Sequence, residues 1–137
     1  MADLSDFLEN TIINHILRNQ AYTPATAIYV ALFTADTGLE ADAGVSGEVS
    51  GGSYARQAVT LAAASGGASS NSGDIAFPTA TGDWGEITHA AIVDHETNVT
   101  WGTNVHVLMW HALTAPKTVN TGDTFKILEG DLDVTIA

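Results

Sequence analysis

The sequence contains no cysteine, so disulfide frameworks, zinc–thiolate sites and thiol nucleophiles are excluded together. Basic residues are almost as scarce. Sixteen acidic side chains face only Arg18, Arg56, Lys117 and Lys126, for a formal charge of −12. Nucleic-acid binding depends on neutralising phosphates with Lys and Arg, so direct contact with DNA or RNA is the first function to fall. An anionic membrane surface would repel the chain for the same reason. Long apolar runs are missing too. The most hydrophobic stretch, Ala27 to Phe33, is far shorter than the roughly 20 residues that a membrane span requires. The start, Met1-Ala2-Asp3-Leu4, has neither the basic region nor the apolar stretch of a signal peptide. A soluble protein is expected, with its acidity serving solubility and resistance to self-association.

The 137 residues suit one domain, which at this size buries about two-thirds of its unfolded surface and needs no metal to fold. Residues 1–20 read as an N-terminal amphipathic helix and residues 21–137 as a β-sandwich-like domain. Leu4, Phe7, Leu8, Thr11, Ile12, His15 and Ile16 recur at three-and-four spacing, the mark of one buried helix face. Asp3 or Ser5 can cap that helix, Asp6 and Glu9 complement its positive end, and Arg18 and Asn19 suit its last turn. A helix from Asp3 to Arg18 is too short to stand alone, so its apolar face must dock on the sheet or on a neighbouring subunit.

From Ala27 the pattern changes. Ile28 to Phe33 is apolar on both faces, as in a strand covered on both sides, and its inner face is expected to receive the helix. Further strands are expected at Tyr54–Leu61, Asp74–Phe77, Ile87–Asp94, Val105–Leu113, Thr124–Leu128 and Leu132–Ile136, the last with Leu132, Val134 and Ile136 inward. Clusters of glycine, serine and asparagine punctuate these runs. The fold class is therefore mainly β: a sandwich or barrel-like domain with one N-terminal helix. The stretch from Ala35 to Ser53 is glycine-rich, acidic and aperiodic, a long loop that is either a solvated tether or a contact arm.

Residues able to carry chemistry do not assemble into a motif. His106 and His111 are expected on opposite strand faces, and His89 on one face with Ile87, Ala91 and Val93. His15 falls on the apolar side of the helix, and Asp94-His95-Glu96 reads as an exposed turn. No zinc spacing is present. Asp123, Glu129, Asp131 and Asp133 supply oxygen ligands near the last strands but lack a calcium-loop spacing. No nucleophile elbow or phosphate loop occurs, so neither catalysis nor a cofactor is expected. Asp83 and Glu86 flank Trp84 in a superficial imitation of a glycosidase pair. Trp84, Trp101 and Trp110 are either core residues or anchors. His106, Leu108 and Trp110 are expected to share one face, opposite Val107, Met109 and His111. With bulky residues on both faces, one of them should meet another subunit.

Segment by segment the chain resembles a family of small tailed-phage proteins, often labelled tail fibre or minor structural proteins. The matching stretches are LSDFLENTIINHIL, TPATAIYVALFTAD, EVSGGSYARQAVT, NSGDIAFPTATGDWGEITHAAIVD and HALTAPKTVNTGDTFKILEGDLDVTI. Over Asn98–His106 it departs from that pattern, where a shorter glycine-rich turn is expected. The resemblance implies a non-enzymatic virion component, assembled in the host cytoplasm. No heptads or repeats are available to build a long fibre, which favours a capsid decoration subunit on the head exterior. Such a subunit is expected to be a homotrimer with the major capsid protein as partner. Contacts are expected from Leu4, Phe7, Leu8, Ile12 and Ile16 on the helix, from Gly44, Glu48 and Ser53 on the long loop, and from Trp84. The alternatives are a tail-fibre or tail-tip subunit partnered by tail proteins, and a carbohydrate-binding module using Trp84 or Trp101.

Overall fold

The computed structural model describes residues 2–136. A two-residue strand β1 (Asp3–Leu4) leads into helix α1 (Asp6–Ile12), which continues as a π-helical turn over Ile13–Leu17. Then follow β2 (Ile28–Phe33), β3 (Gln57–Val59), β4 (Ala68–Ser70), β5 (Ile75–Ala76), β6 (Gly85–Val93), β7 (Val107–Val119), β8 (Lys126–Ile127) and β9 (Asp133–Thr135). Five strands form an antiparallel sheet in the order β1-β7-β6-β2-β3, and two small sheets pair β4 with β9 and β5 with β8. The fold is mainly β and sandwich-like, with sheets that do not close into a barrel.

Strand β2, between β6 and β3, is covered on both sides because both its faces are apolar. Val30 and Leu32 point into one core with Ile75, Phe77, Trp84, Ile87 and Phe125, roofed by the small sheets. Ala31 and Phe33 point into a second core with Leu39, Val93, Val105 and Val107. That second face is covered by the segments after β2 and before β7, not by the helix as the sequence led one to expect. The helix instead packs beside the β1–β7 edge, where Leu4 and Leu8 join Ala2, Ile92 and Met109.

Two irregularities rearrange the faces expected from simple alternation. The β6–β7 register passes from Ile87↔Lys117 to His89↔Ala112, so Leu113 to Pro116 bulge opposite Thr88. Ile87 therefore faces the first core, whereas Ala91 and Val93 face the second, and His89 does not share a face with Ile87. A second shift, from Ile92↔Met109 to Val93↔Val107, skips Leu108. Val107 and Trp110 consequently meet in the second core, contrary to the expected split of His106, Leu108 and Trp110 from Val107, Met109 and His111. An inserted residue in one strand reverses the alternation beyond it.

Residues 35–53 form neither a tether nor an arm. Leu39 is wholly buried, and the buried Asp42 carboxylate accepts the Val107 N–H at 2.7 Å and meets His106 Nδ1 at 2.5 Å. Gly38 makes the turn that returns the chain: its φ is +77°, and a Cβ there would lie 2.4 Å from the Ala43 carbonyl oxygen. The chain then rejoins the sheet edge, with Val49 N–H donating to Leu32 O and Thr34 N–H to Gly47 O. Strand β4, inside a stretch read as a turn, is an addition to the expected elements, as is β1. The final strand is shorter than expected, and Ile136, expected inward, is exposed.

Candidate docking surface

The N-terminal helix starts where its chemistry requires. Ser5, not Asp3, is the N-cap: its Oγ accepts the Leu8 N–H at 3.3 Å and its hydroxyl donates to the Val107 carbonyl. Asp3 lies in β1 instead, opposite Trp110. One hydroxyl thus starts the helix and fastens it to the sheet. Phe7 stacks face to face on the His106 imidazole, ring centres 3.7 Å apart, and Tyr22 meets Phe7 edge-on. The Tyr22 phenol is held above its ordinary pKa by burial and then by the charge of Asp94.

The α-helix ends at Ile12, six residues before the expected end at Arg18. The next turn closes through Arg18 N–H to Ile13 O, a span of five residues rather than four. That wider turn breaks the three-and-four spacing after Ile12. Ile16, assigned by periodicity to the docked face, is instead 67% exposed, beside Leu17 at 77% and Ile13 at 49%. Asn19 (φ +54°) then reverses the chain, and His15 Nδ1 approaches Gln20 O at 2.9 Å. No acidic residue occurs from Asn10 through Ala35, and Arg18 is the charged residue there. In a chain of −12 this is a neutral-to-positive apolar prominence.

The other expected contact residues have different roles. Leu4 and Leu8 are half-buried against Met109 and Ile92, and Phe7 and Ile12 are also half-buried. Gly44 is an exposed turn (φ +62°), and Ser53, also exposed, bonds Thr81 Oγ1 at 2.7 Å. Glu48 is engaged within the protomer. Its carboxylate receives Arg56 Nε–H at 2.7 Å and Nη2–H at 2.8 Å, and the Tyr54 hydroxyl donates to it at 3.0 Å. Arg56 Nη1 also donates to His95 O and Asn98 O, and the guanidinium lies 4.9 Å from the Trp101 ring centre. Burial, followed by the Glu48 charge, pushes the Tyr54 phenol far above its ordinary pKa.

Trp84 is a core residue, 5% exposed, with Nε1–H donating to Gly52 O and the ring set edge-on to Tyr54 and Phe77. It offers no sugar platform, and one face of Trp101 is taken by Arg56. Asp83, its supposed acid partner, accepts from Thr121 N–H and Oγ1–H, which hold its carboxyl below the usual range. His95 Nδ1 accepts from Thr97 and Asn98 N–H groups in an exposed turn. Among the described residues, no three His, Asp or Glu side chains converge as a metal site would require, and no helix is long and apolar enough to cross a membrane.

A family model described as Podophage GP4 fiber I protein gp80 matches residues 3–135. The chain belongs to that family. It is a structural protein of a tailed-phage virion. No curated protein matches it. The gp80-family match runs from β1 through β9, so the helix end and both cores lie within it. Sequence periodicity missed the exposed helix end because a π-turn has no propensity signature; the absence of acidic residues across Asn10–Ala35 was the available signal.

Proposed function

We propose that this gp80-family chain is a non-enzymatic subunit of a virion fibre, attached to neighbouring virion protein through the end of its N-terminal helix. The observation that carries the reading is the exposed Ile13–Ile16–Leu17 prominence. Exposing three large aliphatic side chains together is unfavourable unless a partner covers them. The family description favours a fibre as the place of attachment, ahead of the capsid exterior. Leu4, Phe7 and Leu8 act in this reading by anchoring the helix to its own sheet, so that its end is held rigidly. Gly44 and Ser53 remain available at the surface, whereas Glu48 and Trp84 serve the protomer interior.

Capsid decoration is the second reading, favoured by the absence of a long helix among the described residues. The helical segment Asp6–Leu17 is about 18 Å long at ~1.5 Å per residue, so a fibre must come from assembly of many copies. Copy number in purified virions separates the two. A number comparable to that of the major capsid protein supports decoration; a few copies per tail supports the fibre. In either case Ile16→Asp/Leu17→Asp, folded by circular dichroism, is expected to be lost from the virion. Full incorporation of that variant would remove the helix end as the attachment surface.

A further inference from the structure

After the helix the chain runs back along one of its faces. Asn19 makes the turn in the left-handed conformation (φ +54°), and the Gln20 N–H donates to Asn14 O at 2.9 Å. Tyr22 is thereby brought edge-on to Phe7 and to His15, with ring centres 6.4 and 6.3 Å away. Between helix and returning chain lies a cavity of about 290 Å³, lined by Thr11, Asn14, His15, Arg18, Gln20 and Tyr22 together with Ala21. Ile13, Ile16 and Leu17 are not among its lining residues, so the cavity and the aliphatic prominence use different side chains of the same helix.

Every lining residue but Ala21 carries a polar side chain, and none is acidic. Several are fixed by one another. Arg18 Nη1 donates to Asn14 Oδ1 at 2.6 Å, and Gln20 Nε2 donates to Arg18 O at 3.3 Å. His15 Nδ1 lies 2.9 Å from Gln20 O. A carbonyl can only accept, so that nitrogen carries the hydrogen and Nε2 is an acceptor in the neutral ring. With Nη1 anchored, the Nε–Nη2 edge of Arg18 has no partner among the described residues. That edge is a pair of parallel donors, which a carboxylate accepts bidentately. The amides of Asn14 and Gln20, the hydroxyls of Thr11 and Tyr22, and His15 Nε2 offer donors and acceptors in mixture, the complement of ligand hydroxyls. Burial, followed by the charge of Asp94, holds the Tyr22 phenol above its ordinary pKa, so it remains a donor.

Charge gives the ligand its sign. Arg18 is the charged residue between Asn10 and Ala35 in a chain of −12. Distant acids act on the cavity through solvent, where screening sets in over about 8 Å at physiological salt. The last helical carbonyls do not oppose an anion as unpaired groups, since Ile13 O and Asn14 O accept from the Arg18 and Gln20 N–H groups. Asp94, whose charge reaches Tyr22, is engaged by the His106 N–H at 2.7 Å. Tyr22 lies back along the helix near Phe7, whereas Arg18 is at its end, so the anionic group belongs at Arg18 and the hydroxyls toward Tyr22. We infer that this cavity binds a small hydroxylated carboxylate, of the chemical class of a sugar acid, with its carboxylate on the Arg18 Nε–Nη2 edge and its hydroxyls on Thr11, Gln20 and Tyr22. The inference is independent of what covers Ile13, Ile16 and Leu17. An exposed guanidinium holds such a ligand at about millimolar Kd in a single copy, and repetition along a fibre raises the avidity.

The test is an NMR titration of the full natural chain with D-glucuronate at constant ionic strength, following the Arg18 Nε–H and the Tyr22 backbone signals. Saturable shifts of both are expected at about millimolar concentration. Arg18→Gln, folded by circular dichroism, should lose at least about tenfold in affinity. Arg18→Lys keeps the charge without the paired donors and should bind about threefold or more weakly. D-Glucose supplies only the hydroxyls and acetate only the carboxylate, so each should bind at least about tenfold more weakly than glucuronate. Equal binding of glucose would show that the charge selects nothing, and equal binding of acetate or inorganic phosphate would reduce the site to a non-specific anion contact. Unchanged affinity of Arg18→Gln would place the ligand elsewhere. Each of these results overturns the inference, as does the absence of a saturable shift up to ~50 mM glucuronate.

Discussion

Replacing Arg56 by methionine should destabilise the fold by about 3–5 kcal/mol, the usual cost of stranding one partner of a buried ion pair. The guanidinium makes four hydrogen bonds, two to the Glu48 carboxylate and two to the carbonyls of His95 and Asn98. The Arg56 side chain is 3% exposed and that of Glu48 14% exposed. Methionine keeps much of the volume against Trp101 but leaves the carboxylate with only the Tyr54 hydroxyl as a side-chain partner. Against a total stability of about 5–15 kcal/mol, such a loss is a large fraction. The assay is urea unfolding followed by tryptophan fluorescence, with the slope checked for constancy so that the midpoint reports stability. The double variant Glu48→Gln/Arg56→Met removes the stranded charge and should recover at least ~1 kcal/mol relative to Arg56→Met, a coupling expected of residues in direct contact. A cost below about 1 kcal/mol for Arg56→Met, as for an exposed pair, would refute the claim that this ion pair is desolvated and ties the loop before β3 to the loop before β7.

Ser5→Ala removes the helix cap and the donor to Val107 O together, with an expected cost of about 1–2 kcal/mol in the same unfolding assay. Asp74 is held below the ordinary carboxylate pKa chiefly by the Glu129 N–H and then by Lys126, and Asp83 by the Thr121 N–H and hydroxyl. Their contribution is complete above about pH 4 and is lost as pH falls through the depressed folded values. Unfolding of Asp74→Asn/Asp83→Asn across the acid range should therefore show a shallower decline than the natural chain. Tyr54 behaves in the opposite sense: burial and the Glu48 charge keep its phenol neutral. Stability should fall above about pH 10, where the unfolded phenol ionises but the folded one does not. Tyr54→Phe should weaken that alkaline dependence, leaving the part contributed by Tyr22, whose phenol is also held above its ordinary pKa, as followed by near-ultraviolet titration alongside unfolding.

Strand β2 could be read from the sequence because six consecutive strand formers leave no polar face, and the structure covers both sides of it. Ser5 was also visible as a helix start, one of two caps that fit the spacing. The locations of β3, β5, β6, β8 and β9 followed from alternating or apolar runs, with ends that moved by a few residues. What could not be read this way depended on partners distant in the chain. Asp42 looks like one more acid in a loop until it meets His106 and Val107, more than sixty residues away. Glu48 looks like a contact residue until Arg56 folds back over it with the carbonyls of His95 and Asn98. Trp84 could have faced solvent or core, and only its packing with Tyr54 and Phe77 decides for the core.

The sequence by itself determined the mainly β fold class and the phage resemblance that the family match bears out. These follow from composition, local periodicity and segment order, which do not depend on how distant strands meet. The tertiary structure alone decided which faces are shared and which apolar residues remain outside. A bulge opposite Thr88, a shift at Leu108 and a π-turn after Ile12 each alter the register by a residue or more. Side-chain direction depends on accumulated register, so one such step reverses or rotates every residue beyond it. That is why Ile16, placed inward by its spacing, is at the surface on which the docking proposal depends.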